Sequence, residues 1–123
     1  MIVTGDAILE IGDGFYANKN CILSIDKKTR IGDSVLFGWD VHIRTSDGHK
    51  ILYHDNENVY DGQVIIENHV WICSETVILK GVHLKNDTIV GWGSLVIKSF
   101  DDSNILVAGH PAKLIKNNVS WEK

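Results

Sequence analysis

From residue 66 to residue 100 the chain repeats every six positions. Ile66, Ile72, Ile78, Leu84 and Val90 open successive blocks, and Val70, Thr76, Val82, Thr88 and Ser94 stand four places after each opener. A helix buries one face at a spacing near 3.6, and a simple strand does so at 2. A period of six suits neither as one long element. It predicts short strands separated by tight turns, with each opener pointing inward, so that every rung completes its hydrogen bonds and its core only by stacking on its neighbours. The pattern is that of an all-β chain, a parallel β-helix.

The register runs back towards the start. Ile11, Ala17 and Leu23 are six apart, with Phe15 and Cys21 at the fourth places. The phase then slips by two, and Ile25, Ile31, Phe37 and Ile43 form a second run with Val35 and Val41. This slip predicts a small bulge or outward loop at a corner near residues 23–28, and residues 1–10 an opening strand or partial rung. The hexads fail over residues 45–63, a polar stretch with the turn dipeptides Asp47-Gly48 and Asp61-Gly62. So long an interruption in a compact domain predicts a functional loop projecting from one corner. After a turn at residues 101–104, residues 105–116 are expected to form a last strand and a short cap.

At 123 residues the chain is read as one domain, residues 1–123. Apolar residues make up 44% and charged residues 23%, as in ordinary globular chains. No apolar run reaches membrane-span length and no signal pattern opens the chain, so a cytoplasmic location without membrane insertion is expected. Cys21 and Cys73 are too few for a disulfide framework and fall inside the register, as small core or near-core residues do. A net charge of −4 makes nucleic acid a poor partner. An open solenoid end and flat apolar-containing sides predict lateral association into a homo-oligomer.

The hexads, residues 11–20 (IGDGFYANKN), the loop Ser46-Asp47-Gly48-His49, the run His69-Val70-Trp71-Ile72 and the ending Ala108-Gly109-His110-Pro111-Ala112-Lys113 together resemble the hexapeptide-repeat acyltransferases. The branch they resemble most is that of galactoside, maltose and polysaccharide O-acetyltransferases, over residues 11–116. The resemblance implies a left-handed β-helix assembled as a homotrimer, with active sites between subunits. It implies acetyl-CoA as co-substrate, a sugar or glycan precursor as acceptor, and no metal. The N-terminal helical segment usual in the family has no counterpart in this sequence.

Acetylating a sugar hydroxyl requires a base, and a histidine is largely neutral and able to take a proton at pH 7. The resemblance puts His49 in that role. Asp47 is the candidate to orient its ring, with a turn cap as the other use of that residue. The tetrahedral intermediate needs an N–H donor, and the family match is Ser74. Trp71 is expected to flank the histidine across a subunit boundary. Lys98, Lys113 and Lys116 match contacts to the phosphates and adenine of CoA. Trp92 stands in the donor channel where the family has a small residue, and Cys73 where it has glycine. Asn18 and Asp26 match acceptor contacts. His42 is expected to point outward on the same side as Asp40, as an exposed rung histidine first and as a lining of the acceptor groove second.

Three other readings compete. N-acetylation of an amino sugar uses the same base and donor. A non-catalytic sugar-binding or scaffold protein keeps the fold and loses the chemistry. A zinc enzyme would draw on His49 and His54 with His42 or His69, although a spacing within an irregular loop fixes no ligand geometry.

Overall fold

The computed structural model describes residues 2–5, 7–54 and 61–123. Among these the strands are β1 (Ile2–Val3), β2 (Leu9–Ile11), β3 (Tyr16–Ala17), β4 (Ile22–Ile25), β5 (Thr29–Ile31), β6 (Leu36–Phe37) and β7 (His42–Arg44). After the loop come β8 (Val64–Ile66), β9 (Trp71–Ile72), β10 (Val77–Ile78), β11 (His83–Leu84), β12 (Ile89–Val90) and β13 (Leu95–Val96). A hairpin, β14 (Ile105–Gly109) and β15 (Ala112–Asn117), follows. The strands stack as three sheets around a common core. Sheet A has the order β1-β4-β7-β10-β13, sheet B β11-β8-β5-β2, and sheet C β15-β14-β12-β9-β6-β3. Among the described residues the strands all pair in parallel except β14 with β15.

The hexad openers form the inner columns. Leu23, Ile43, Ile78 and Val96 stack in sheet A. Ile11, Ile31, Ile66 and Leu84 stack in sheet B, and Ala17, Phe37, Ile72, Val90 and Val107 in sheet C. Phe37, Ile43, Ile66, Ile72, Ile78, Leu84 and Val90 are fully buried. Each such side chain contributes about 1.5–3 kcal/mol by leaving water. Thr76, Thr88 and Ser94 are buried too, and their hydroxyls donate to the carbonyls of Gly91, Lys85 and Gly91. A hydroxyl can replace an aliphatic at the fourth place because a backbone acceptor lies within reach. Ile11 is 44% exposed, since its coil has a stacking partner on one side only among the described residues.

The phase slip is neither a bulge nor an outward corner loop. Leu23 and Ile25 both point inward from β4, so this coil has a longer strand in sheet A and a repeat of twenty residues between Ile11 and Ile31. Later coils repeat every eighteen, as between Ile66 and Leu84.

Left-handed backbone bends all three corners, with Gly5 and Gly81 at the corner between sheets A and B. Gly14, Ser34, His69, Asp87 and Asn104 form one such column between sheets B and C. Asn20, Asp40, Glu75 and Gly93 form another, between sheets C and A. The non-glycine residues carry a cost of roughly 1–2 kcal/mol each, offset by hydrogen bonds to the coil beneath, such as His69 N–H to Asp33 O and Glu75 N–H to Trp39 O.

Candidate active site

The corner between sheets C and A carries three stacked triplets: Gly38-Trp39-Asp40, Cys73-Ser74-Glu75 and Gly91-Trp92-Gly93. Beside them opens an almost wholly apolar groove of about 250 Å³. Trp71 on β9 forms one wall, Trp39 and Trp92 stand at the corner, and Cys73, Ser74 and Asn18 add to the lining, with Leu36 and Gly38 beside them. The fold thus gathers four predicted site residues, Asn18, Trp71, Ser74 and Trp92. Trp39 was missed by sequence reasoning, although Gly38-Trp39 repeats the Gly91-Trp92 pattern.

Trp92 is 66% exposed, and its indole N–H donates to Glu75 Oε2 at 2.9 Å. This bond holds the ring at the corner rather than over the sheet. Close packing at the triplets depends on glycine. A Cβ on Gly38 would meet Ser74 Oγ at 2.4 Å and Ser74 N at 2.6 Å. Ser74 Oγ accepts from the Trp39 N–H at 2.8 Å. At the opposite corner the same capping runs up the stack, with Asp33 serving Asp13 and Asn68 serving Asp33. One coil above Ser74 stands Trp92, whose indole has no acceptor, so it cannot cap the Ser74 N–H in this way. Burial pushes the Cys73 thiol up, leaving it protonated at neutral pH and a lining group rather than a nucleophile. Burial also raises Cys21, whose Sγ lies 3.2 Å from Gly38 O.

The loop starts and ends at the corner between sheets A and B. Gly62 N–H donates to Thr45 O, and Ser46 pairs with Asp61. Thr45 Oγ1 donates to Asp26 Oδ1 at 2.5 Å and accepts from Asp26 N at 2.9 Å. Lys27 Nζ lies 3.6 Å from Asp61, and Lys80 Nζ reaches both Asp47 oxygens at 2.9 and 2.8 Å. His49 is exposed just past Gly48. Residues 55–60 of the expected loop, with the chain positions 1 and 6, lie outside the described residues.

Asp47 anchors the loop, because the Lys80 ammonium from the adjoining coil meets both its oxygens. The turn is capped by Ser46, whose Oγ accepts from Gly48 N–H. Asp26 braces the loop root through Thr45. Asn18 Nδ2 donates to Phe37 O at 2.9 Å while the side chain lines the groove. Asp40 is exposed at the left-handed corner position beside Trp39.

The three lysines do not gather in one chain. Lys98 lies over the Phe100 ring at 5.6 Å and stands one coil above Lys80, whereas Lys113 and Lys116 are exposed on β15 at the edge of sheet C. His42 faces outward from sheet A, where burial and Arg44 lower its pKa. His69 sits at the corner between sheets B and C, paired with Asp87. Among the described residues no group of three His, Cys, Asp or Glu side chains is placed to hold a metal.

The chain is 35% identical over 110 residues to a galactoside O-acetyltransferase from Escherichia coli K12, covering 88% of this chain and 53% of the relative. Among solved structures it superposes on a polysialic-acid-specific acetyltransferase with a TM-score of 0.77 at 32% identity, over 95% of this chain and 54% of that one. The chain belongs to the hexapeptide-repeat acyltransferases. A hexapeptide-repeat acetyltransferase from Vibrio cholerae, solved with acetyl coenzyme A, gives a TM-score of 0.78 at 27% identity, over 89% of this chain and 60% of that one. No protein-family model matches the chain. The chain spans about half the length of the curated relatives it matches. No helix among the described residues is long and apolar enough to cross a membrane.

Proposed function

We propose that this hexapeptide-repeat protein is an O-acetyltransferase that moves an acetyl group from acetyl-CoA to a hydroxyl of a sugar or glycan precursor in polysaccharide synthesis. The observation that carries the reading is the apolar groove beside Ser74, on a chain related to O-acetyltransferases. His49 takes the proton of the acceptor hydroxyl as its oxygen attacks the thioester carbon. The Ser74 N–H, which Trp92 cannot cap, donates to the developing oxyanion. Collapse of the intermediate forms the ester, breaks the C–S bond and expels CoA thiolate, which takes the proton back from the imidazolium.

His49 rises from the corner between sheets A and B, whereas the groove opens at the corner between sheets C and A. Two copies packed side by side would bring one loop against the other's groove, as in a homotrimer. The same packing would place Lys98 of one copy towards Lys113 and Lys116 of another, around the phosphates of CoA. Asn18, Asp40 and His42 would border the acceptor. An acyl-CoA donor supports a cytoplasmic location for the reaction.

The test is turnover of acetyl-CoA with a panel of sugars, in the native protein and in His49→Ala. Loss of about 10²–10⁴-fold in kcat with donor binding retained is expected for a general base. Full activity in that variant would sink the assignment.

A further inference from the structure

Trp121 lies outside every hexad, yet it is only 8% exposed. Its indole N–H donates to the His69 carbonyl at 2.9 Å. Its ring stacks on the His69 imidazole, with centroids 4.1 Å apart and planes 6° from parallel. It also meets the Trp71 indole at 5.8 Å and 45°. From the other side, His69 Nδ1 lies 2.7 Å from Asp87 Oδ1 on the next coil. The tail reaches further along the sheet, where Lys123 Nζ sits 4.6 Å from the Tyr16 ring centroid.

Residues 69–71 are therefore gripped at the His69 carbonyl, at its imidazole and at the Trp71 indole. This grip acts on a wall of the candidate site, because Trp71 also lines the groove. Trp71 stands on a two-residue strand and is only partly buried, so the sheet alone holds its ring loosely. His69, at φ 55°, is in a conformation that an L-residue keeps only when its surroundings enforce it.

We propose that Trp121 is a positioning residue: it sets the Trp71 ring so that the groove is preformed for the acyl-CoA donor. The inference rests on reading the groove as the donor site. Its physical basis is preorganisation, since a wall already ordered before binding loses less freedom when the ligand arrives. Asp87 and His69 act one step further out, holding the imidazole on which Trp121 stacks.

The experiment compares the native protein with Trp121→Ala and Trp121→Phe, with circular dichroism to confirm folding. The Trp71 indole N–H resonance is recorded without ligand, and acetyl-CoA binding is measured by calorimetry. Trp121→Ala is expected to move the resonance and weaken binding by up to about tenfold, the scale of one aromatic contact. KM should rise by a similar factor while kcat changes little. Trp121→Phe keeps the stacking and should recover most of the affinity even if the alanine variant fails to fold. In a Trp71→Ala background, Trp121→Ala should cost nothing further. An unmoved Trp71 resonance, or the same affinity loss in that background, overturns the proposal. A native protein that does not bind acetyl-CoA overturns the donor reading instead, and the resonance still decides whether Trp121 sets Trp71.

Discussion

The Lys80 ammonium contacts both carboxylate oxygens of Asp47, at 2.9 and 2.8 Å, and so ties the loop that carries His49 to the β-helix. The two side chains are 30% and 21% exposed, which limits the pair to about 0.5–1 kcal/mol. Its effect on activity should come through placing the loop. Asp47→Ala and Lys80→Ala are each expected to lower kcat by less than about tenfold, with little added in the double variant, as for two residues sharing one contact. A pH–rate profile separates the roles. An orienting carboxylate would shift the acidic limb, where the base protonates, when removed, and an anchor would leave it in place.

Gly38 and Ser74 give a prediction about stability. A Cβ at Gly38 would overlap Ser74 Oγ and N, so Gly38→Ala should destabilise the fold by roughly 1–3 kcal/mol, as overpacking does. Ser74→Ala removes the acceptor for the Trp39 N–H and should cost about 1 kcal/mol, the usual net worth of a hydrogen bond. Urea unfolding of both variants reads these values. A Gly38→Ala protein as stable as the native one would mean that the corner relaxes freely.

Trp92 is exposed and joined to Glu75 by one hydrogen bond, so Trp92→Ala should change stability by under about 0.5 kcal/mol. Its loss removes an apolar wall of the groove. Acetyl-CoA affinity should fall by up to about tenfold, the scale of an aromatic contact. Tighter binding in this variant would show that the indole obstructs the donor.

His42 sets the direction of one pH effect. Burial first, and then Arg44, lower its pKa below the usual histidine value. The unfolded chain therefore takes up a proton at His42 before the folded chain does, so stability rises with pH across this window. The contribution is present above the unfolded value of about 6.5 and is lost as pH falls through the lower folded value. As pH is lowered from 7.5, the denaturant midpoint of the native protein should fall relative to that of His42→Gln. A difference that does not change with pH removes this explanation.

Much of the fold is legible in the chain. Period six requires inward openers, and Ile66, Ile72, Ile78, Leu84 and Val90 all stack in the core. The break at residue 45 and the resumption near Ile66 bracket a loop whose ends meet through Ser46 and Asp61. The slip near Leu23 was visible, but its form was not, because the same two-residue shift fits a bulge, an outward corner loop or a longer strand. Only packing both Leu23 and Ile25 inward distinguishes them. Among candidate site residues, Asn18, Trp71, Ser74 and Trp92 share one groove, whereas Lys98 is separated from Lys113 and Lys116 around the prism.

By itself the sequence determined the coil, its inner columns and its interruption, because burial imposes a strict period wherever one side of each short strand must avoid water. Tertiary structure decided what depends on neighbours in adjoining coils, some eighteen residues apart in sequence. Asp47 looks from the sequence like a partner for a histidine two residues away, yet Lys80 from the next coil reaches it first. Trp121 lies in no repeat, and nothing local marks it as buried. Its place follows from a tail that returns across fifty-two residues to the His69 carbonyl. Side-chain partners across a stack are set by which coils adjoin, and that relation has no local signature in the chain.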